Sequence, residues 1–366
     1  VICLLAIIFY YLFLTLCYLY ITYNISIFSS PFINNLRIRS LLTGANTVKE
    51  TQDSWSGWKV NEKKTITELL QSEFKTLHAK FKTVSIRHIE ELHAELTAWQ
   101  RDGFITKKFS EQNYNLFVFH PPETLPHARS IIVIGIPQKI TRIEFFRHGK
   151  RFETIIPPTY IFSEVRGACT EILSRVLGEK GYSVERAILP MKLLSVKSGL
   201  GKYGKNNLCY VDGMGSYTRL EAFYTDYESP SDDWGEKELM SSCTTCSLCQ
   251  QACPTHCIPE SRVLIHADQC LTHFNENDGD FPSSIPEHSH NAIIGCMHCQ
   301  TVCPQNKKYF RYHPVIVSFT EEETTHILQK TPRNSLPQTL AKKLEDLNLY
   351  DDYSHLHRNL TVIMKQ

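Results

Sequence analysis

From Thr65 onward the apolar residues recur at spacings that predict alternating helices and strands. Ile66, Leu69, Leu70, Phe74 and Leu77 fall at three- and four-residue steps, the mark of one helical face, and Ile86, Ile89, Leu92 and Leu96 repeat it. The run from Ile131 to Ile136 is apolar on both faces and closed by Pro137, which predicts a strand buried in a mixed sheet. A third helix is expected over residues 164–177, with Val165, Cys169, Ile172, Val176 and Leu177 on one face and Gly178 ending it. Strands are expected at 208–211 and 220–224. Periodicity then fades over residues 241–310, and helical patterning returns between Glu321 and Lys365 through Leu340, Leu344, Leu347, Leu360 and Ile363.

The first residues follow a different pattern. Residues 1–36 contain no charge, and Val1 to Tyr23 is almost continuously apolar, long enough to span a bilayer. A basic n-region and a small-residue cleavage site are both missing, so a secretory signal does not fit. Two readings stand side by side: a membrane anchor or a non-native leader. With Arg37 and Arg39 just after the run, an anchor would leave the globular part in the cytoplasm. Residues 37–63 are polar and irregular and read as a linker.

Charge and composition narrow the function. A formal net charge of +1 excludes a nucleic-acid grip based on global charge, although a local basic patch stays open. Of the 13 cysteines, nine lie between Cys243 and Cys303, a clustering that suits thiolates around metal in a reducing compartment better than a disulfide framework.

The spacing of those cysteines is specific. Cys243-x2-Cys246-x2-Cys249-x3-Cys253-Pro254 is the bacterial ferredoxin run, whose fourth cysteine ligates the other cluster. Cys296-x2-Cys299-x3-Cys303-Pro304 offers three more, and Cys270 between the motifs completes eight. Crossing the ligands gives one 4Fe-4S cluster on Cys243, Cys246, Cys249 and Cys303, and a second on Cys253, Cys270, Cys296 and Cys299. Zinc knuckles share the Cys-x2-Cys pairs but have no need of the Cys-x3-Cys-Pro endings. Cys169, Cys209 and Cys257 are expected to be packing residues. His256, His273 and His298 are candidates for tuning the clusters by hydrogen bonding.

Gly199-Leu-Gly201-Lys-Tyr-Gly204-Lys205 matches G-x-G-x-x-G, but helical residues precede it and a strand follows, the reverse of a dinucleotide fingerprint. As a Walker loop it fails at Asn206, where a hydroxyl should hold magnesium. Two readings remain. Gly199, Gly201 and Gly204 could admit a cofactor close to the backbone, with Lys202 and Lys205 holding an anionic group, or the loop is a tight turn from helix to strand.

The string from Ser198 to Asn207, followed by the double-cluster segment, resembles epoxyqueuosine reductases and their relatives among the corrinoid-dependent reductive dehalogenases, over roughly residues 64–310. The resemblance implies an α/β domain holding a cobalamin beside a two-cluster module that passes electrons to the corrinoid. It departs at Ala187-Ile-Leu-Pro190, where the family carries the acidic proton donor of a D-x-x-P string. Phe274-Asn-Glu-x3-Asp280-Phe-Pro282 and His290-Asn-x3-Gly-Cys296 look like a sister group whose substrate the resemblance does not settle. Tyr203, Lys192 and Lys205 are candidate proton donors, none standing above the others.

Together these readings give an α/β (α+β) domain with a mixed sheet over 64–240, a loop-rich two-cluster ferredoxin-like module over 241–310, and a short helical cap over 311–366. The expected activity is that of a cytoplasmic iron–sulfur oxidoreductase, corrinoid-dependent and epoxyqueuosine reductase-like, fed by an external donor such as a ferredoxin or flavodoxin. The net charge lends tRNA no support as a partner. The competing expectation is a non-catalytic electron-transfer protein that docks a partner enzyme.

Overall fold

The computed structural model describes residues 64–366 apart from 262–263, 287 and 312–314, and the side chains of 308–311. The apolar stretch 1–36 and the linker 37–63 lie outside the described residues. Thr65 starts the first helix, α1 (Ile66–Thr76), with a capping box: its hydroxyl accepts from the Glu68 N–H while the Glu68 carboxylate accepts from the Thr65 N–H. Next come β1 (Lys80–Ser85), α2 (Ile89–Arg101) and α3 (Lys107–Asn113), then β2 (Ser130–Pro137), β3 (Thr141–Arg147) and β4 (Lys150–Ile156). α4 (Ser163–Gly178), β5 (Val184–Arg186), α5 (Met191–Lys197), β6 (Gly201–Tyr203), β7 (Cys209–Val211) and β8 (Thr218–Thr225) complete the first half. The cysteine-rich stretch holds only short helices, α6 (Leu248–Gln251), α7 (Leu271–Asn275) and α8 (His298–Thr301). β9 (Val315–Phe319), α9 (Glu321–Leu328), α10 (Gln338–Asp346) and α11 (Tyr353–Ile363) follow.

The main sheet has the order β1-β2-β8-β5, and every pairing in it is antiparallel. The strand expected at 131–136 is central here, so the mixed sheet predicted around it is corrected. Its two-sided apolarity comes from helices on both faces, not from parallel pairing. Alternate residues of β2 enter different cores. Ile132, Ile134 and Ile136 meet Leu70 and Phe74 of α1 and Cys169, Leu173 and Leu177 of α4. Ile131 and Val133 face Ile89 and Leu92 of α2 and Leu193, Leu194 and Val196 of α5. Each buried aliphatic side chain contributes roughly 1.5–3 kcal/mol.

A mixed sheet does exist elsewhere, with the order β4-β3-β9, where β9 runs parallel to β3. The hairpin β3–β4 turns through His148 and Gly149, both at positive φ (51° and 69°), as a tight two-residue loop requires. Ile143 and Phe145 of β3 and Ile156 of β4 pack with Phe319, Leu340, Leu344, Leu356 and Leu360, so a hairpin from the middle of the chain shares its core with the C-terminal helices. From Glu62 to Gln366 the chain forms one compact unit. Among the described residues no helix is long and apolar enough to cross a membrane.

Candidate metal centre and adjoining cavity

The glycine loop is a structural joint. Gly199 ends α5 at φ +68°, and its N–H donates to the Val196 carbonyl. A Cβ on Gly201 would fall 2.5 Å from the Cys209 sulfur, and one on Gly204 2.5 Å from the Tyr210 ring. Gly201 and Gly204 let β6 and β7 lie against each other, and Gly199 and Gly201 also border a cavity of about 420 Å³ with Lys202. The main chain of Tyr203 then pairs with the incoming segment, accepting from the Met240 N–H and donating to the Glu238 carbonyl, which carries the chain to Cys243. Lys205 donates its ammonium to the Cys246 carbonyl at 2.9 Å and its N–H to the Cys243 sulfur. Gly199, Gly201 and Gly204 thus form a tight turn, one of the two readings the loop allowed, and Lys205 supports the first cysteine motif.

The sulfurs fall into two neighbourhoods. Burial, then the nearby sulfurs of Cys243, Cys303 and Cys246, push the Cys249 thiol up to about 11. Cys296 is pushed up to about 12, by burial first and then, against an opposing N–H from His298, by the sulfurs of Cys270 and Cys253. Cys299 is raised well above the ordinary thiol range by burial, followed by Cys296 and Cys270. Donors converge on the sulfurs: the N–H groups of Thr255 and Cys257 on Cys253, of Thr272 on Cys270 and of His298 on Cys296, and the Asn206 side chain on Cys299. Such donors fit anionic ligands, as cluster-bound thiolates are. Among the described residues no group of three or more His, Cys, Asp or Glu converges on the point one metal ion would occupy, and a cubane, which spreads its thiolates over four irons, makes no such demand.

Cys257, expected only to pack, sits among these sulfurs. It lies 3.5 Å from Cys253 and also bonds Cys270; these bonds raise its own pKa and hold Cys253 down at about 5 and Cys270 at about 7. Of the histidines, His298 bonds the Ser289 carbonyl through Nε2 at 2.8 Å, and His273 meets the ring of Phe109.

Cys253, Cys270, Cys296 and Cys299 all line one cavity of about 250 Å³, the space that a cubane on these four thiols would itself take up. Lys192, Tyr160, Glu276, Asn206 and Asn277 line it from elsewhere in the chain. Lys192 shows much of its surface, yet burial pulls its pKa down, because the space it faces is this cavity. Tyr160 donates its hydroxyl to the Glu276 carboxylate, and its ring packs against Gly295, where a Cβ would fall 2.5 Å from the hydroxyl. Of the candidate proton donors only Lys192 reaches this cavity; Tyr203 lines another, with Trp99 and Phe104. Ala187 is buried and donates its N–H to the Ala222 carbonyl. Glu276 was read only as part of the Phe274–Pro282 string, with no role given to it, and Tyr160 was not singled out, since a lone Tyr carries no spacing signal.

Buried amides fasten the parts together. Asn306 accepts from the Ser216 N–H at 3.0 Å and donates to the Ser216 hydroxyl at 2.8 Å, joining the cysteine-rich region to the loop before β8. Asn359 of α11 donates to the carbonyls of Asn275 and Ile293, both at 2.9 Å.

The cysteine-rich segment is of the double-cluster iron–sulfur class: residues 242–306 match the family model of the 4Fe-4S double cluster binding domain. The chain is similar to the epoxyqueuosine reductase of Staphylococcus aureus (25% identical, covering 60% of this chain and 58% of the relative) and to that of Bacillus anthracis (30% identical, 53% of each). The matches span less than two thirds of these curated relatives. Among solved structures it resembles epoxyqueuosine reductase from Streptococcus thermophilus (TM-score 0.58, 18% identity, 82% of this chain and 80% of that one). It also resembles an epoxyqueuosine reductase solved with an epoxyqueuosine-modified tRNA stem loop (TM-score 0.56, 17% identity, 82% of each chain). At these identities the structural likeness establishes a shared fold.

Proposed function

We propose that this chain is an iron–sulfur oxidoreductase that passes single electrons through two 4Fe-4S clusters to a substrate in the cavity. Cys243, Cys246, Cys249 and Cys303 would hold one cluster, and Cys253, Cys270, Cys296 and Cys299 the other. The observation that carries the reading is that Lys192, Tyr160 and Glu276 line the same cavity as Cys253, Cys270, Cys296 and Cys299. A pure carrier has no use for a lysine and a carboxyl held at its cluster. The clusters supply one-electron storage and transfer; the chain's own groups orient a substrate and hold protons. The external donor is of the ferredoxin or flavodoxin class, and the setting is cytoplasmic.

The resemblance favours an epoxyqueuosine reductase-like activity, and the epoxyqueuosine-modified stem loop is the first substrate to try. Corrinoid dependence has the same resemblance behind it and the cavity against it. At about 250 Å³ the space falls below the roughly 300–1,000 Å³ of ordinary ligand sites, and the glycine loop closes on its own hairpin. The residues lining the cavity do not enclose a corrinoid, so no step is derived through one. The electron-carrier alternative draws on Ala187, which puts no acid where the family has one.

Anaerobic expression with cobalamin supplied tests the proposal. The expected holoprotein contains about eight irons per chain and, with a reduced viologen as donor, reduces the modified stem loop. A full iron complement with no turnover would favour the carrier, and a corrinoid absorption band would reinstate cobalamin.

A further inference from the structure

We propose that the groove running from the α1–β1 corner to the segments flanking Cys243 and Cys303 is the docking face of an acidic one-electron carrier protein, which reduces the cluster on Cys243, Cys246, Cys249 and Cys303. This deepens the oxidoreductase reading above and rests on it for the identity of the cluster.

The groove is two adjoining cavities. One, of about 620 Å³, is lined by Lys75, His78, Lys80 and Lys82 and reaches Gly199 and Asp212. The other, of about 420 Å³, shares Gly199 and Asp212 and runs on past Lys202 to Ser241, Ser242 and Gln305. A short stretch of sequence builds the basic end. Lys75 stands in the last turn of α1, and His78, at φ +52°, turns the chain into β1. Lys80 and Lys82 lie on the same side of that strand as Val84, which packs with residues of α2 and α5, and so they meet Gly199 where α5 ends.

The other end meets the first cluster's ligand segments. Ser242 precedes Cys243 and Gln305 follows Cys303-Pro304, so the cavity touches the chain at both halves of the crossed ligand set. Tyr210 also lines it; its hydroxyl accepts from the Asn206 amide at 3.0 Å and donates to the Cys303 sulfur. All four cysteines of this set are partly exposed, whereas Cys253 of the other set is buried.

Charge selects the partner. Four lysines and one carboxylate, Asp212, line the two cavities. Lys80, Lys82 and Lys202 pair with Asp212, Asp233 and Glu238, and such solvent-facing pairs open readily because water screens them. From Leu239 to Pro259 the chain has no Lys, Arg, Asp or Glu, so the first cysteine motif adds an uncharged contact beyond Lys202. A carboxylate-rich carrier fits both parts: the lysines steer it, and the uncharged stretch lets it close on the cluster. A nucleic acid would also meet the lysines, but Lys192 and Glu276 stand at the other ligand set. Lysines on an edge strand such as β1 also guard it against pairing with another chain, a role that glutamate fills equally well. The step itself is a bare electron transfer: the carrier loses one electron, the cluster gains one, and no bond or proton moves.

Stopped-flow reduction of the anaerobic holoprotein tests the face, with an acidic flavodoxin hydroquinone as one donor and reduced methyl viologen, a small cation, as the other. The wild-type flavodoxin rate is expected to fall as salt rises from about 0.01 to 0.15 M, over which the screening length shrinks from about 30 to 8 Å. In Lys75→Glu/Lys80→Glu the ratio of flavodoxin rate to viologen rate should drop by about tenfold or more. Arg147→Glu/Lys150→Glu, the same charge change on the β3–β4 hairpin, should move that ratio by less than about threefold. An unchanged ratio in the lysine variant, or an equal drop in both variants, overturns the proposal. A wild-type rate indifferent to salt overturns it without any variant. Loss of stem-loop binding in the lysine variant with the ratio kept gives the face to nucleic acid and overturns it too. The wider reading fails separately: lysine-dependent reduction without stem-loop turnover removes the reductase and keeps the docking face, whereas turnover with a charge-indifferent ratio removes only the docking face.

Discussion

The thiol of Cys257 lies 3.5 Å from that of Cys253, and it also bonds Cys270, so one residue outside the ligand set touches two within it. Replacing Cys257 with alanine should leave iron and sulfide content unchanged while lowering the potential of that cluster, because sulfur-directed hydrogen bonds favour the more negatively charged reduced state. An EPR-monitored redox titration measures the shift. Loss of one cluster's iron would instead make Cys257 a ligand.

Cys270→Ala addresses the crossed ligand set. Iron and sulfide should fall by about half, with the other cluster's EPR signal retained. An unchanged iron content would refute the assignment.

Gly295→Ala places a side chain where the backbone is left-handed and where the Tyr160 hydroxyl stands 2.5 Å away. The backbone cost is about 1–2 kcal/mol, and displacing the ring adds to it. Chemical denaturation of the anaerobic holoprotein should read a loss of roughly 1–3 kcal/mol, together with a shifted Glu276 titration.

Glu276 ties stability to pH. Its folded pKa, raised by burial to about 7, stands above the unfolded value, so between about pH 4.5 and 7 the folded state binds more protons than the unfolded one. Stability from this group is full at the acid end of that window and declines as pH rises through it. Glu276→Gln should therefore gain on the wild type from pH 5 to pH 8, by about 1–3 kcal/mol once the carboxyl's contact with cavity water is allowed for. Denaturation curves at the two pH values would show it; a constant difference would mean that the carboxyl does not titrate in this window.

Asn359→Leu would leave the carbonyls of Asn275 and Ile293 without their shared donor. The expected cost is about 1–3 kcal/mol. Faster loss of iron to a chelator should accompany it, since those carbonyls flank Cys270 and Cys296 in the chain.

What the sequence revealed depended on repetition. The α1, α2 and α4 faces and the strand around Ile131–Ile136 repeat a residue type at a fixed interval and were found near their expected positions, and the cysteine spacings fall in the segment that matches the double-cluster domain. β3 and β4 went unread because their alternation is diluted by Arg142, Glu144, Arg151 and Glu153, which face outward and pair with one another. β9 was missed because its partner lies some 170 residues earlier in the chain. The direction of the main sheet was misjudged because burial on two faces looks alike in parallel and antiparallel strands. Cys257 and Tyr160 each matter through a neighbour distant in sequence or outside the ligand motif, and nothing local marks them; Glu276 stood in the Phe274–Pro282 string without a role.

Asn359 has a consequence for biosynthesis. The amide that closes over the backbone beside two ligand loops is translated 84 and 66 residues after the carbonyls it binds. Until the ribosome has passed it, those loops lack a fastening that they have in the finished protein. Iron–sulfur loading should then follow synthesis of the Asn359 segment.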